Sequence, residues 1–195
     1  MAFGALAVAA ALGFSQEPSP EARAAEIFIE ACVAAAGDRA EVASLARDRG
    51  WPHEDLGSRY QEALWADGYQ TPSGSLFLDH TPRSELPSAH PSELPPSAPS
   101  LIASRPETKE CSIVLQSRPG TWRDVAALLD ASPLLVPFPE DRQPEGLPGQ
   151  VLRIYSLAVR DNSSVTMPRV SILENSDDGL LKIVIRRYPR RNTGG

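Results

Sequence analysis

The hydrophobic and polar positions near the start of the chain follow the period of an α-helix. Apolar or small side chains recur on one face of residues 24–37, and Phe28 and Cys32 share that face. A serine and a proline, Ser19 and Pro20, precede the stretch and are typical of a helix start. The pattern predicts an amphipathic helix that buries Cys32.

A second helix is predicted directly after the first. Asp38 and Glu41 have the spacing of a capping box, and Gly50 is a typical stop. Trp51 follows at once, and we expect it to pack under the helices as part of the core. The two segments together predict a helix pair over residues 20–50.

The pattern changes beyond this pair. A weaker helical period covers residues 58–66 and predicts a third, short helix. Asp67 and Gly68 indicate a turn, and a strand-like run begins at Ser75.

The second half of the chain has the pattern of strands. Polar turn clusters separate the last three strand runs, and such short connections indicate an antiparallel meander. The predicted segments are a strand at 111–116, a short helix at 121–131, and strands at 151–160, 167–173 and 180–188. In the last strand Leu181, Ile183 and Ile185 share one face, whereas Lys182 and Arg186 lie on the other.

Prolines set residues 81–109 apart from both halves. The tetrad Ser-Glu-Leu-Pro occurs twice there, too short a unit for a folding repeat. Because proline lacks an amide donor and interrupts helices and central strands, we expect a disordered or polyproline-II insertion. A spacer is favoured over a proline-rich ligand for a partner domain.

These elements predict an α+β fold, in which the N-terminal helix pair packs on an antiparallel sheet of about five strands. The expected organisation is a signal peptide (1–15), a helical part (16–80), the disordered insertion (81–109), a β-rich part of the same domain (110–188) and a basic disordered tail (189–195). The alternative is a helical domain and a β domain joined by a linker.

The N-terminal residues indicate export. The run from Ala2 to Phe14 has no charged residue, and as a helix it would span about 20 Å, too short for a bilayer core of about 30 Å. Its length fits the apolar region of a signal peptide cleaved before Gln16, although the basic residues that usually precede such a region are missing. We expect a periplasmic or secreted protein with no transmembrane segment after cleavage. A buried Ala-rich helix of a cytosolic protein is the alternative.

Export would make the two cysteines, Cys32 and Cys111, a disulfide pair. Two buried thiols or one reactive thiol are the other interpretations. Neither the cysteines nor the three histidines have the spacing of metal ligands, and we expect no metal or other cofactor.

Charge limits the choice of partner. The net charge of −6 disfavours bulk binding to nucleic acid or to an anionic membrane. Four arginines near the C-terminus run against this charge and are a possible anion contact, although a charged edge strand that resists aggregation is the simpler interpretation. They are Arg186, Arg187, Arg190 and Arg191.

No catalytic motif is present, and we regard His53, His80 and His90 as solvated or structural. The sequence favours a non-enzymatic interaction or structural protein of the cell envelope, with an unknown protein or an anionic envelope component as its partner. The alternative is a small exported hydrolase whose site assembles only in the fold. A deep pocket that joins a histidine to an acid near a tryptophan would favour the hydrolase.

The export and disulfide hypotheses are tested together by the intact mass of the natively expressed protein, with and without reductant and alkylation. We expect a chain that lacks residues 1–15 and takes up an alkylating reagent only after reduction. An unprocessed chain with two reactive thiols would contradict both.

Overall fold

The computed structural model describes residues 18–57, 59, 62–82, 84–85, 104–116, 118, 120–139, 151–159, 166–175 and 178–189. Within these residues the fold is α+β, as predicted, with three helices and an eight-stranded antiparallel sheet.

The helices are α1 (Pro20–Phe28), α2 (Arg39–Asp48) and α3 (Trp122–Asp130). The first continues directly into a π-helical turn, Ile29–Ala34. The strands are β1 (His53–Asp55), β2 (Trp65–Thr71), β3 (Gly74–Thr81), β4 (Ser84–Glu85), β5 (Ser104–Arg105), β6 (Thr108–Gln116), β7 (Leu135–Pro137), β8 (Val151–Leu157), β9 (Arg169–Asn175) and β10 (Leu180–Arg187).

The large sheet has the order β1-β2-β3-β6-β10-β9-β8-β7, and every neighbouring pair is antiparallel. Strands β8, β9 and β10 form the predicted meander. Strand β3, which precedes the proline-rich stretch, pairs with β6, which follows it. The two halves of the chain therefore share one sheet.

The first helix begins where the sequence predicts. The Oγ of Ser19 accepts a hydrogen bond from the amide of Ala22 at 3.2 Å, and Pro20 occupies the first turn. The side chains of Phe28 and Cys32 are fully buried against the sheet. Trp51 is also buried in this core, as expected.

The expected helix pair is incomplete, because a third helix shares the same face of the sheet. Val125 and Leu129 of α3 are fully buried in the core, and α1 packs mainly against α3 rather than against α2. The small residues Ala24 and Ala25 of α1 are also fully buried, which suits a close helix contact.

The sheet has eight strands, whereas about five were expected. Strand β2 lies where part of the third helix was predicted. Leu64 is 63% exposed, and the chain from Trp65 onward is extended. The predicted turn at Asp67 and Gly68 is mid-strand instead. Gly68 is suited to that position because a Cβ there would lie only 3.1 Å from the side chain of Leu56.

The proline-rich segment has narrower bounds than predicted. Strand β3 runs to Thr81 and β6 begins at Thr108, while the short strands β4 and β5 pair with each other between them. Residues 86–103 lie outside the described part of the chain. The predicted signal peptide (1–15) and nearly all of the tail (189–195) lie outside it as well.

A disulfide joins Cys32 to Cys111, with 5.5 Å between the two Cα atoms, and confirms that prediction. It connects the π-helical turn to β6, near the middle of the sheet. A second link lies beside it, because Nη2 of Arg187 donates to the carbonyl oxygen of Cys32 at 2.8 Å. Within the described residues, no helix is long and apolar enough to cross a membrane.

Replacing both cysteines, Cys32→Ala with Cys111→Ala, is expected to lower the free energy of unfolding by at most about 4.5 kcal/mol. The reason is the large loop, with a sequence separation of 79 residues, that the bond closes in the unfolded chain. Urea denaturation of oxidised wild type, reduced wild type and the double variant measures the loss. Reduced wild type separates the cross-link from the lost side-chain packing, and equal stability before and after reduction would contradict the expectation.

Candidate functional site

The sheet has one face that the described helices leave uncovered. Alternation along β10 places Ile183 and Ile185 in the core with the helices, and it places Lys182, Val184 and Arg186 on the opposite face. We call the face that carries Lys182, Val184 and Arg186 the open face.

A row of four charged side chains crosses the open face. Strand register places Asp79 of β3 opposite Glu110 of β6, Glu110 opposite Arg186 of β10, and Arg186 opposite Arg169 of β9. Glu110 accepts hydrogen bonds at 2.6 Å from both Nζ of Lys182 and Nε of Arg186. The row therefore has an acidic end at β3 and a basic end at β9.

The pKa values of the two carboxyl groups in the row are shifted in opposite directions. Burial alone raises the pKa of the Glu110 carboxyl, but Lys182 and then Arg186 outweigh burial and hold that pKa below its usual range. Burial, followed by repulsion from Glu110, raises the pKa of Asp79. Glu110 is thus stabilised as the anion that positions Arg186.

A cavity of about 590 Å³ lies at the basic end of the row. The guanidinium of Arg169 lies over the ring of Phe138, 5.1 Å from its centre, and has no carboxylate partner among the described residues. Arg186 also lines the cavity. Its apolar lining consists of Phe138, Val151, Ile154, Met167, Val184 and Tyr188.

The four predicted arginines do not share one surface. Arg186 lines the cavity, but the next residue, Arg187, points into the core and is 6% exposed. Arg190 and Arg191 lie outside the described residues. The anion contact itself stays a prediction. Sequence reasoning missed Arg169, because only the register of β9 with β10 brings it next to Arg186.

A second polar cluster lies on the other face of the sheet, beside α2. The buried carboxylate of Asp67 on β2 accepts hydrogen bonds from Nε and Nη2 of Arg39, at 2.5 and 3.1 Å. It also bonds Nε2 of His53, on β1, at 2.9 Å. The ring of Trp65 lies 5.0 Å from the Arg39 guanidinium, and the ring of Tyr69 lies 5.0 Å from that of His53.

Burial alone raises the pKa of the Asp67 carboxyl, but the hydrogen bonds from Arg39 and His53 outweigh burial and hold that pKa below its ordinary value. The cluster forms one wall of an open cavity of about 390 Å³. Trp51 lines the same cavity. A histidine, an acid and a tryptophan therefore meet here, although from the sequence His53 was expected to be solvated or structural.

No protein-family model matches the chain, and comparison with curated proteins and with solved structures finds no match either. Within the described residues, no three side chains of histidine, cysteine, aspartate or glutamate are placed to hold a metal ion. Function must therefore be inferred from the chemistry of the two cavities.

We expect Asp67→Asn to lower the free energy of unfolding by about 1–3 kcal/mol near neutral pH, because Arg39 and His53 lose a charged acceptor. The folded-state pKa of Asp67 is depressed, so its contribution is present above about pH 4, the unfolded value, and is lost as pH falls through the folded-state pKa. The stability difference between variant and wild type is therefore expected to shrink on acidification.

Urea denaturation at about pH 7 and at about pH 3 measures this difference. Asp48→Asn, an exposed substitution at the end of α2, is the matched control and is expected to change little at either pH. An Asp67→Asn loss that is the same at both pH values would contradict the ionic role of the carboxylate.

Proposed function

We propose that the chain is an exported, disulfide-stabilised binding domain whose open face holds an anionic amphiphile of the cell envelope. The disulfide supports export, because such bonds persist mainly in oxidising compartments outside the cytosol.

The observation that carries the binding proposal is the pairing of Arg169 with Arg186. Like charges directly opposite on neighbouring strands destabilise a sheet. Glu110 offsets the charge of Arg186, whereas Arg169 has no carboxylate partner among the described residues. An anion bound between the two guanidinium groups would remove this repulsion.

The surroundings of the two arginines favour an anion with an apolar tail. Aromatic and aliphatic side chains, including Phe138, Met167 and Tyr188, line the cavity beside the charged groups. Met167 is 52% exposed and accessible to a ligand, whereas Ile154 and Val184 form the buried floor of the cavity. A phosphate or carboxylate headgroup would pair with the guanidinium groups while its hydrocarbon tail covers the lining. Nucleic acid lacks such a tail and would leave the apolar lining of the cavity uncovered.

The second candidate is a small exported hydrolase, which the contact of His53 with Asp67 favours. A carboxylate that orients a histidine is the arrangement of a general base. Among the described residues, the lining of that cavity contains no serine, threonine or cysteine. Hydrolysis there would therefore use water as the nucleophile, activated by the histidine.

The binding proposal is tested by co-sedimentation with phosphatidylglycerol vesicles and, as the neutral comparison, phosphatidylcholine vesicles. Wild type is expected to bind the anionic vesicles only. Arg169→Gln with Arg186→Gln is expected to weaken that binding about thirty-fold, because each arginine near an anionic surface contributes about 1 kcal/mol. Added salt is expected to weaken the wild-type binding.

Arg59→Gln with Arg123→Gln is the matched control, since it removes the same charge from exposed positions that do not line the cavity. A chain ending at Tyr188 measures any contribution of Arg190 and Arg191. Equal losses in the test and control variants would overturn the proposal, as would binding lost only on removal of the tail.

A further inference from the structure

We infer that the cavity between α2 and strands β1 and β2 is a binding site for a phosphate group. This site lies on the helix-covered face of the sheet and does not depend on the proposed binding at the open face. Its polar lining comprises Arg39, Arg47, His53 and Asp67.

Asp67 fixes two donors without using all of their capacity. Nε and Nη2 of Arg39 donate hydrogen bonds to the carboxylate, which leaves Nη1 for another acceptor. The Arg39 side chain is 49% exposed. Nε2 of His53 is hydrogen-bonded to Asp67, whereas Nδ1 remains available to a ligand. The His53 side chain is 48% exposed. A buried anion thus orients two groups that still face the cavity.

Arg47 adds a third donor. Residues 39, 43 and 47 are four apart, so they lie along one side of α2, and all three line the cavity. Ala43 leaves space between the two arginines. Arg47 has no carboxylate partner among the described residues, so the lining carries two guanidinium groups and one carboxylate, while Asp55 acts on Arg39 from outside the lining.

The directions of these donors favour a phosphate over a carboxylate. A planar carboxylate is satisfied by one guanidinium in a bidentate pair, which Asp67 already forms with Arg39. Arg47 approaches from α2 and His53 from β1, on a different element. A tetrahedral oxyanion has acceptor oxygens for donors that converge from several directions.

Protonation of His53 is linked to this binding. With Nε2–H donated to Asp67, Nδ1 becomes a second donor only when the ring is charged. The charged groups around the ring are Arg39 and Arg47 of α2, Asp67 of β2, and Asp55 of its own strand, while Glu54 alternates onto the other face of the sheet. The neutral hydroxyl of Tyr69 also lines the cavity. Anion affinity is therefore expected to be higher where the ring is charged than where it is neutral.

The test is titration of the full chain with inorganic phosphate and with glycerol phosphate, followed by amide and histidine-ring NMR shifts. Saturable shifts are expected at α2, β1 and β2. Sulfate provides the pH comparison because it does not titrate between about pH 5.5 and about pH 8. Its binding is expected to be tighter at the lower pH and to shift the ring nitrogens of His53 towards the charged form.

Arg47→Gln is expected to weaken phosphate binding about ten-fold, since it removes one charge-assisted donor. His53→Gln is expected to abolish the pH dependence of sulfate binding. Arg123→Gln, on α3, and the double variant of Arg169 and Arg186 are the controls and are expected to bind phosphate as wild type does. Amide spectra of each variant verify that the fold is retained.

Three results would overturn the inference. They are shifts that do not saturate, shifts that Arg47→Gln leaves unchanged, and shifts that map to the open face. Shifts that map to the open face would leave the proposed function intact. Failure to bind vesicles, with phosphate binding retained, would refute only the proposed function. Release of phosphate from glycerol phosphate, lost in His53→Gln, would identify the site as hydrolytic.

Discussion

The attachment of the first helix to the centre of the sheet is the constraint on which the rest of the structure depends. The π-helical turn carries Cys32 onto β6, where the disulfide holds it, and Arg187 of β10 donates to the Cys32 carbonyl from the neighbouring strand. The chain must then leave the sheet sharply. Gly37, with a φ of 65°, makes that exit, and a Cβ there would lie only 3.1 Å from the Cβ of Cys111. Helix α2 begins two residues later, and the cavity beside it follows from this geometry.

The same alternation gives the arginines of β10 different roles. Arg186 stays on the open face with Glu110, whereas Arg187 is buried and satisfies a helix carbonyl. A buried guanidinium is costly unless it is hydrogen-bonded, so its placement at the end of the π-helical turn is an integral part of the core. Successive residues of a strand point to opposite faces of the sheet, so two neighbouring arginines have different roles. Arg187 contributes to the core, and Arg186 contributes to the surface charge.

Local signals in the sequence were sufficient for α1, α2, α3 and the meander, and insufficient for the segment of residues 58–71 and the edges of the sheet. Ser19 and Asp38 cap their helices because capping depends on residues within one turn. Strand β2 was missed because Asp67 and Gly68 are typical of turns. Their mid-strand positions depend on Arg39, His53 and Leu56, which come from other elements. The contact of Arg169 with Arg186 likewise depends on strand register.

The burial of Asp67 is more economically explained by orientation than by stability. Taking a carboxylate out of water costs free energy, and a half-solvated partner returns little of it because water still screens its charge. Here only the carboxylate is buried, while its two partners are about half exposed. Desolvating Asp67 therefore fixes the positions of Arg39 and His53 at the cavity wall without sequestering them. Rigid donors with unused capacity, next to Arg47, are what recognition of an oxyanion requires.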